Sequence, residues 1–266
     1  MKQELSKKTR TESDLIGSRE VPESALYGVQ TLRGIENFRI SKFHLNEYPL
    51  FIQALAITKM GAAIANRELD LLTKEQTDAI LKACKEILEG KYHDQFPVDM
   101  IQGGAGTTTN MNANEVIANR ALELMGHQRG EYQYCSPNDH VNRSQSTNDA
   151  YPTAIHIGLY YTHLKLVKHF ETLIQSFRKK GEEFANIIKM GRTQLEDAVP
   201  MTLGQTFNGF ASILEHEVKN LDFAAQDFLT VNMGATAIGT GITAEPGYAE
   251  KCIAALGKIT GLDIKL

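Results

Sequence analysis

One apolar pattern constrains the fold of this chain more than any other feature. Between residues 153 and 188, mostly apolar and aromatic side chains recur in alternating steps of three and four, from Tyr160 through Phe170 to Ile188. This spacing places side chains on one face of an α-helix, and it lasts for about four heptads. A helix over this range would be about 54 Å long at about 1.5 Å per residue. The pattern therefore predicts a helical bundle.

A second apolar stripe follows between residues 207 and 228. Pro200 and a capping box, formed by Thr202 with Gln205, predict the start of its helix. Gly191 is expected to close the first helix, so that a short polar turn joins the two helices into an antiparallel hairpin. Two helices alone cannot bury both stripes. Further bundle helices, from partner chains or from additional sequence, are therefore expected.

Shorter patterns predict helices outside this hairpin. Thr73 with Gln76 forms another capping box, which predicts a helix ending near Gly90. Residues 1–48 contain scattered glycines and a proline, which predict an irregular arm with a short strand pair. Helical spacing also marks residues 51–72, 112–125 and 246–259.

Together these patterns predict a mainly α fold. A mixed and helical N-terminal domain is expected over residues 1–140, followed by a domain of long antiparallel bundle helices over residues 141–266. The chain stops shortly after a helical pattern, so the bundle domain is expected to be partial.

Charge and composition exclude several classes of partner. The formal net charge is −4 and the isoelectric point is about 6.1, whereas a nucleic-acid surface needs clustered lysine and arginine. The sequence contains neither a run of about 18 apolar residues nor the apolar stretch of a signal peptide at its start. The three cysteines are widely spaced and form no C-x-x-C pair. We therefore expect packing cysteines in a reduced cytoplasmic protein, with no membrane or nucleic-acid partner.

Three loops concentrate small hydroxyl and amide residues, and each is expected to run into a helix. Free backbone N–H groups and the helix dipole make such a start a ready anion site. Simple N-capping is the alternative, since serine, threonine, asparagine and aspartate are preferred caps. Each loop carries more polar groups than one cap uses, which predicts a small ligand with more than one carboxylate. The loops are Gly106-Thr107-Thr108-Thr109-Asn110, Ser144-Gln145-Ser146-Thr147-Asn148-Asp149 and Gly191-Arg192-Thr193-Gln194.

Common catalytic signatures do not occur in the sequence. The glycine-rich stretch 234–241 has Thr240 where a phosphate-binding loop needs lysine, which favours a connection between helices. The eight histidines lack metal-binding spacing, and His163 on the long seam is interpreted as a packing residue.

The loop sequences closely resemble the class II fumarase/aspartase superfamily. The matching stretches are residues 103–112, 146–153 and 191–195, and residues 19–38 resemble the family's N-terminal arm. The resemblance covers essentially the whole chain. Gln194 favours the ammonia-lyase branch, because fumarases usually carry histidine there, although some ammonia-lyases do as well. The stretch 126–134 also resembles the ammonia-lyases.

The resemblance implies a reversible elimination of ammonia from L-aspartate to give fumarate, without a cofactor. A base removes a C3 proton, and the adjacent carboxylate becomes a doubly charged aci-carboxylate that preorganised neutral donors stabilise. The family's sites are shared among three subunits of a homotetramer, and no residue is assigned to a metal. By motif match, the substrate-binding residues are Thr107, Ser146, Thr147, Asn148, Thr193 and Gln194.

The sequence departs from the family pattern in one respect. The family's base is a serine in a Gly-Ser-Ser-x-Met-Pro loop, and that loop does not occur here. No catalytic residue is therefore assigned, and the 266-residue chain alone is expected to be inactive. Two alternatives remain: a class II fumarase that hydrates fumarate to malate, and a catalytically silent fragment that oligomerises or binds a dicarboxylate.

Overall fold

In a computed structural model, the chain is described from residue 8 to residue 266 and forms two compact units. One unit comprises Met1–Gly158 and Leu229–Leu266, and the other comprises Leu159–Phe228. These bounds differ from the predicted boundary at residue 140, because residues 229–266 pack with the N-terminal part. The division into domains 1–140 and 141–266 stays a prediction.

The first unit begins with a strand pair, as predicted. Strands β1 (Thr9–Asp14) and β2 (Gly17–Pro22) form an antiparallel hairpin. Helix α1 (Val29–Asn37) follows, and the sequence patterns did not predict it. Its first N–H groups are capped by a distant side chain, because the Glu115 carboxylate accepts from the N–H groups of residues 28, 30 and 31 at 2.8–3.0 Å. A cap so far along the chain leaves no local signal.

Four more α-helices lie wholly within the part of the first unit that the structure describes. They are α2 (Pro49–Glu68), α3 (Lys74–Leu88), α4 (Thr107–Leu124) and α7 (Tyr248–Thr260). Helix α2 packs against both α3 and α7. The Thr73–Gln76 capping box is confirmed at the start of α3. Helix α4 begins five residues earlier than its apolar pattern predicted, so its first turn contains the first polar loop.

The long helix α5 (Thr147–Glu183) is 37 residues, and its residues from Leu159 belong to the second unit. There it packs antiparallel to α6 (Leu203–Ala225), which confirms the predicted pair of long helices. The ring centroids of Phe184 and Phe207 lie 5.6 Å apart, and those of Phe177 and Phe210 lie 5.7 Å apart. The predicted capping box starts α6. His163, predicted to be a packing residue, is buried and lies 2.9 Å from an Asp222 carboxylate oxygen.

The connection between the long helices differs from the prediction. An antiparallel β-hairpin, β3 (Ile188–Thr193) with β4 (Glu196–Thr202), replaces the short polar turn. Gly191 therefore does not close the long helix, which ends at Glu183. Instead Gly191 is buried in β3, where an added Cβ would lie 2.9 Å from the Val199 carbonyl oxygen. Ile188 continues the helical spacing but is β-branched, and the strand conformation prevails there.

Large apolar side chains remain exposed on both long helices of the second unit. On α5, leucines at spacings of seven form one stripe that is separate from the packed seam: Leu159, Leu166 and Leu173 are 43%, 43% and 42% exposed. On α6, Ile213 and Phe223 are exposed. Across residues 8–266, no helix combines the length and the apolar character needed to span a bilayer.

Candidate functional site

Two helix N-termini meet in the first unit, and both belong to loops that the sequence singled out. Helix α4 starts at Thr107 and helix α5 starts at Thr147. In the first turn of α4, the Asn110 side-chain Nδ2 donates to Thr147 Oγ1 at 3.1 Å. The positive ends of two helix dipoles are thereby brought close to one place. This arrangement favours the binding of an anion.

Gly106 allows this close approach. It precedes α4 with a φ of +90°, in the left-handed region that favours glycine. A Cβ at this position would lie 2.5 Å from ring atoms of Tyr151, one turn into α5. Any larger residue would therefore separate the two helix starts.

A buried lysine lies beneath the junction. Lys59, in the middle of α2, is fully buried, and its ammonium donates to three side-chain amide oxygens. The distances from Nζ are 2.7 Å to Asn110 Oδ1, 3.0 Å to Asn142 Oδ1 and 2.8 Å to Gln145 Oε1. Burial lowers the pKa of Lys59 to about 7, and the nearby Asp149 carboxylate opposes that shift. The three direct partners of the ammonium are neutral amides, and the nearby Asp149 carboxylate balances part of its charge.

Lys59 was not predicted from the sequence to be a functional residue. Its signal was a lysine within the mostly apolar stretch 54–63 of a helical pattern, where a charge is unexpected. Its partners Asn142 and Gln145 belong to the stretch between α4 and α5. Asn110 did stand in the first polar loop, but the loop pattern gave no indication that it faces a lysine.

Ser146 and Asp149 cap α5, so the capping interpretation accounts for part of the second loop. Ser146 Oγ accepts from the Asn148 N–H at 3.2 Å, and Asp149 Oδ1 accepts from the Ser146 N–H at 2.9 Å. The other Asp149 oxygen accepts from the N–H groups of Gly234 and Thr236 at 3.0 and 2.9 Å. Burial raises the pKa of Asp149, whereas these N–H groups favour its ionised form. Asp149 therefore fixes the glycine-rich stretch 234–241 against the start of α5.

Asn148 is the most exposed of the three consecutive polar residues in this loop. Its side-chain Nδ2 donates to the Ala237 carbonyl at 2.7 Å, and its own carbonyl accepts from Asn232 at 3.0 Å. The stretch 234–241 thus borders the helix junction, as a connection that leads towards α7. Its Gly234 and Thr236 N–H groups donate to Asp149, and its Gly239 and Gly241 N–H groups donate to the Ala235 carbonyl, in agreement with the interpretation that it connects helices.

The remaining predicted residues lie in two different places. Thr107 is exposed at the start of α4, and its hydroxyl donates to the Gly104 carbonyl at 2.6 Å. Thr193 and Gln194 belong to the second unit, where both are exposed at the tip of the β3–β4 hairpin. Gln194 and Leu195 both have positive φ, 48° and 69°, which is unusual for residues other than glycine. The third loop therefore forms a hairpin turn rather than a helix start.

Residues 8–266 offer little support for a metal site or a cysteine nucleophile. No group of three histidine, cysteine or acidic side chains that could hold a metal ion occurs in this range. Cys84, Cys135 and Cys252 are buried and free, as expected of packing cysteines, and burial raises the pKa of each thiol. Their thiolate forms, which would be the nucleophiles, are thereby disfavoured.

Comparison with known proteins agrees with the loops and the fold. A family model described as "Lyase" matches residues 17–266. Aspartate ammonia-lyase from Pseudomonas canavaninivorans is 56% identical over 253 residues, which are 95% of this chain and 53% of that protein. A solved structure of fumarate lyase:delta crystallin from Brucella melitensis, bound to cobalt, has a TM-score of 0.92 at 50% identity. It covers 97% of this chain and 56% of its own.

A class II fumarase from Schistosoma mansoni is also similar in structure, with a TM-score of 0.89 at 36% identity over 96% of this chain and 53% of its own. The chain spans about half the length of the curated relatives that it matches. These similarities define a family of lyases and the fumarase fold. The chain belongs to this lyase family, the fumarase/aspartase superfamily that its loops resemble.

Proposed function

We propose that the protein is an aspartate ammonia-lyase, and that this chain supplies most of its carboxylate-binding groups. The observation that carries the proposal is the meeting of two helix N-termini above the buried Lys59 ammonium. Fumarate is a dianion, and the two dipole ends together with the ammonium favour two negative charges. The identity to aspartate ammonia-lyases supports aspartate as the substrate.

The proposed reaction is an elimination from L-aspartate. A base takes the C3 proton, and the electron pair of that bond moves into the adjacent carboxylate, which becomes an aci-carboxylate with two negative charges. The C2–N bond then breaks, ammonia leaves with its electron pair, and the C2–C3 double bond of fumarate forms. Fixed neutral donors lower the barrier when they are aimed at the charge that develops. The base is expected outside this sequence, in the family's serine loop.

The chain's own residues divide into two groups in this proposal. Thr147, with Ser146 and Asn148 beside it, binds a carboxylate at the start of α5. Thr107 joins them from the start of α4 once its hydroxyl leaves the Gly104 carbonyl. Thr193 and Gln194 act from the tip of the β3–β4 hairpin, where both side chains are exposed and Gln194 has a strained positive φ.

Assembly into a homotetramer with shared sites is part of the proposal. The exposed leucine stripe on α5 (Leu159, Leu166 and Leu173) is the surface that other bundle helices would cover. Free buried cysteines support a reducing compartment such as the cytoplasm.

A direct assay tests the proposed activity. The protein encoded by the complete reading frame that contains this sequence is expected to release ammonia and fumarate from L-aspartate. Fumarate formation is followed by its ultraviolet absorbance, and ammonia is measured in a separate coupled assay. The purified 266-residue chain is expected to be inactive in the same assay. Absence of ammonia release by the complete protein would contradict the proposal.

Hydration of fumarate to malate is the second candidate, because the Schistosoma mansoni fumarase shares the fold. The two reactions are separated by incubating the complete protein with fumarate, with and without ammonium. Malate formed without ammonium would identify a fumarase. Aspartate formed only with ammonium would identify an ammonia-lyase.

A further inference from the structure

In its protonated form, which prevails below pH 7, Lys59 dictates how its amide neighbours are oriented. An ammonium carries donors only, so it must face the oxygen and not the NH₂ of each amide. Asn110, Asn142 and Gln145 all meet this condition at 2.7–3.0 Å. Their NH₂ groups consequently point away from the lysine. Gln145 Nε2, for example, donates to the Val141 carbonyl at 2.9 Å.

For Asn110 this orientation has a consequence at the helix junction. Its NH₂ group donates to Thr147 Oγ1 and to Asn142 Oδ1, each at 3.1 Å. The Thr147 oxygen is therefore an acceptor on its inner side. Among the described residues, the Thr147 hydroxyl makes no other hydrogen bond. Its proton therefore points away from Asn110 and is available to another acceptor.

We propose that Lys59 is a positioning residue that makes Thr147 a hydrogen-bond donor to a carboxylate of the substrate. The inference rests on the proposed function. A carboxylate accepts hydrogen bonds and cannot donate them when ionised. If the Asn110 amide were reversed, its oxygen would accept the Thr147 proton, and Thr147 would present lone pairs to the carboxylate. The buried ammonium prevents this reversal through a contact that never touches the substrate.

Two isosteric substitutions separate the loss of the Asn110 NH₂ donor from the effect of an added negative charge. Asn110→Asp and Gln145→Glu each keep an oxygen for Lys59 and add one negative charge. The side chain introduced by N110D lacks the NH₂ group, so its carboxylate accepts a hydrogen bond from the Thr147 hydroxyl. Fumarate binding to the 266-residue chain is measured by titration calorimetry. N110D is expected to weaken binding about tenfold more than Q145E, because a hydrogen bond to a charged group is lost.

A double-mutant cycle removes the remaining effect of charge. In a Thr147→Val background the hydroxyl is absent, so N110D can act there only through its charge. The proposal expects N110D to weaken fumarate binding by a clearly smaller factor in T147V than in the unvaried chain. Equal factors in the two backgrounds would overturn it.

Lys59 itself is tested by Lys59→Met, with Lys59→Arg as the conservative variant. K59R keeps the donors and is expected to bind fumarate more tightly than K59M. If K59M does not fold, the cycle between Asn110 and Thr147 still decides the question.

A ligand-free measurement keeps this inference distinct from the proposed function. In a chain labelled with ¹⁵N-asparagine, the Asn110 NH₂ signals are assigned by their loss in N110D. T147V is expected to shift one of these proton signals, and unchanged signals would overturn the assigned orientation. If the unvaried chain binds no fumarate, the proposed function of this site fails, while the NMR result still decides how Asn110 is oriented.

Discussion

At the scale of single residues, local chemistry predicted some features and long-range packing determined the others. The capping boxes Thr73–Gln76 and Thr202–Gln205 form as predicted, because their partners lie three residues apart. Lys59 and Glu115 were not predicted, since their partners are 51 or more residues away in the sequence. Both are buried charges that satisfy groups at helix starts or loops. Sequence spacing cannot reveal such pairs.

The burial of Lys59 predicts a pH-dependent stability. Its pKa falls from 10.5 to about 7 in the folded chain, so the unfolded chain binds more protons at this lysine between pH 7 and pH 10. The contribution of Lys59 to the free energy of unfolding therefore rises with pH in this window, by up to about 1.4 kcal/mol per pH unit.

Urea denaturation of the unvaried chain and of Lys59→Met between about pH 7 and pH 9 measures this contribution. The difference in unfolding free energy, unvaried minus variant, is expected to increase with pH. Parallel pH profiles of the two proteins would contradict a lowered pKa at Lys59.

Gly106 predicts a second effect of a single residue. Gly106→Ala places a methyl group against the Tyr151 ring at a φ of +90° and is expected to destabilise the chain by about 1–3 kcal/mol. Gly126→Ala is the matched control, because Gly126 has a φ of +84° and an added Cβ meets nothing within 4 Å. Thermal unfolding of both variants compares them, and equal losses would show that the Tyr151 contact has no effect.

At the scale of elements, the helices were predictable and their connection was not. Apolar spacing identified most helices of the described chain, with boundaries that moved by a few residues. The β3–β4 hairpin was missed because its first strand continues the helical spacing through Ile188, which is 79% exposed. Gly191 was interpreted as a helix terminator, whereas its lack of a side chain allows the backbone of β3 to lie close to the Val199 carbonyl. Glycine indicates a backbone requirement but does not specify which one.

The hairpin turn predicts a stabilising substitution. Leu195 is 96% exposed and left-handed, so Leu195→Gly removes steric strain without losing buried contacts. We expect the variant to be more stable by about 1 kcal/mol. Val199→Gly, at an exposed strand position of the same hairpin, is expected to be destabilising instead. Thermal denaturation measures both, and a loss of stability in L195G would show that Leu195 is held by contacts.

At the scale of the whole molecule, the exposed apolar surface indicates assembly. The sequence predicted bundle stripes too extensive for two helices, and the second unit does leave leucines exposed on α5. The candidate site was also predictable only in part. The sequence motifs identify its loops, but the approach of the two helix starts around Lys59 depends on three-dimensional packing.

Assembly is tested by sedimentation of the 29.5 kDa chain. The chain is expected to sediment as an oligomer, and Leu166→Glu combined with Leu173→Glu is expected to dissociate it, because buried unpaired charges are costly. Lys168→Glu, at an exposed position of the same helix, is the control. A monomeric unvaried chain would contradict the assignment of the leucine stripe to an interface.

The central claim is that the joined starts of α4 and α5 bind a dicarboxylate. Calorimetric titration of the 266-residue chain with fumarate, beside acetate as a monocarboxylate control, tests it most directly. We expect fumarate to bind more tightly than acetate, and Thr147→Val to weaken fumarate binding about tenfold or more. Fumarate binding that is absent, or equally tight in the unvaried chain and in T147V, would contradict the claim.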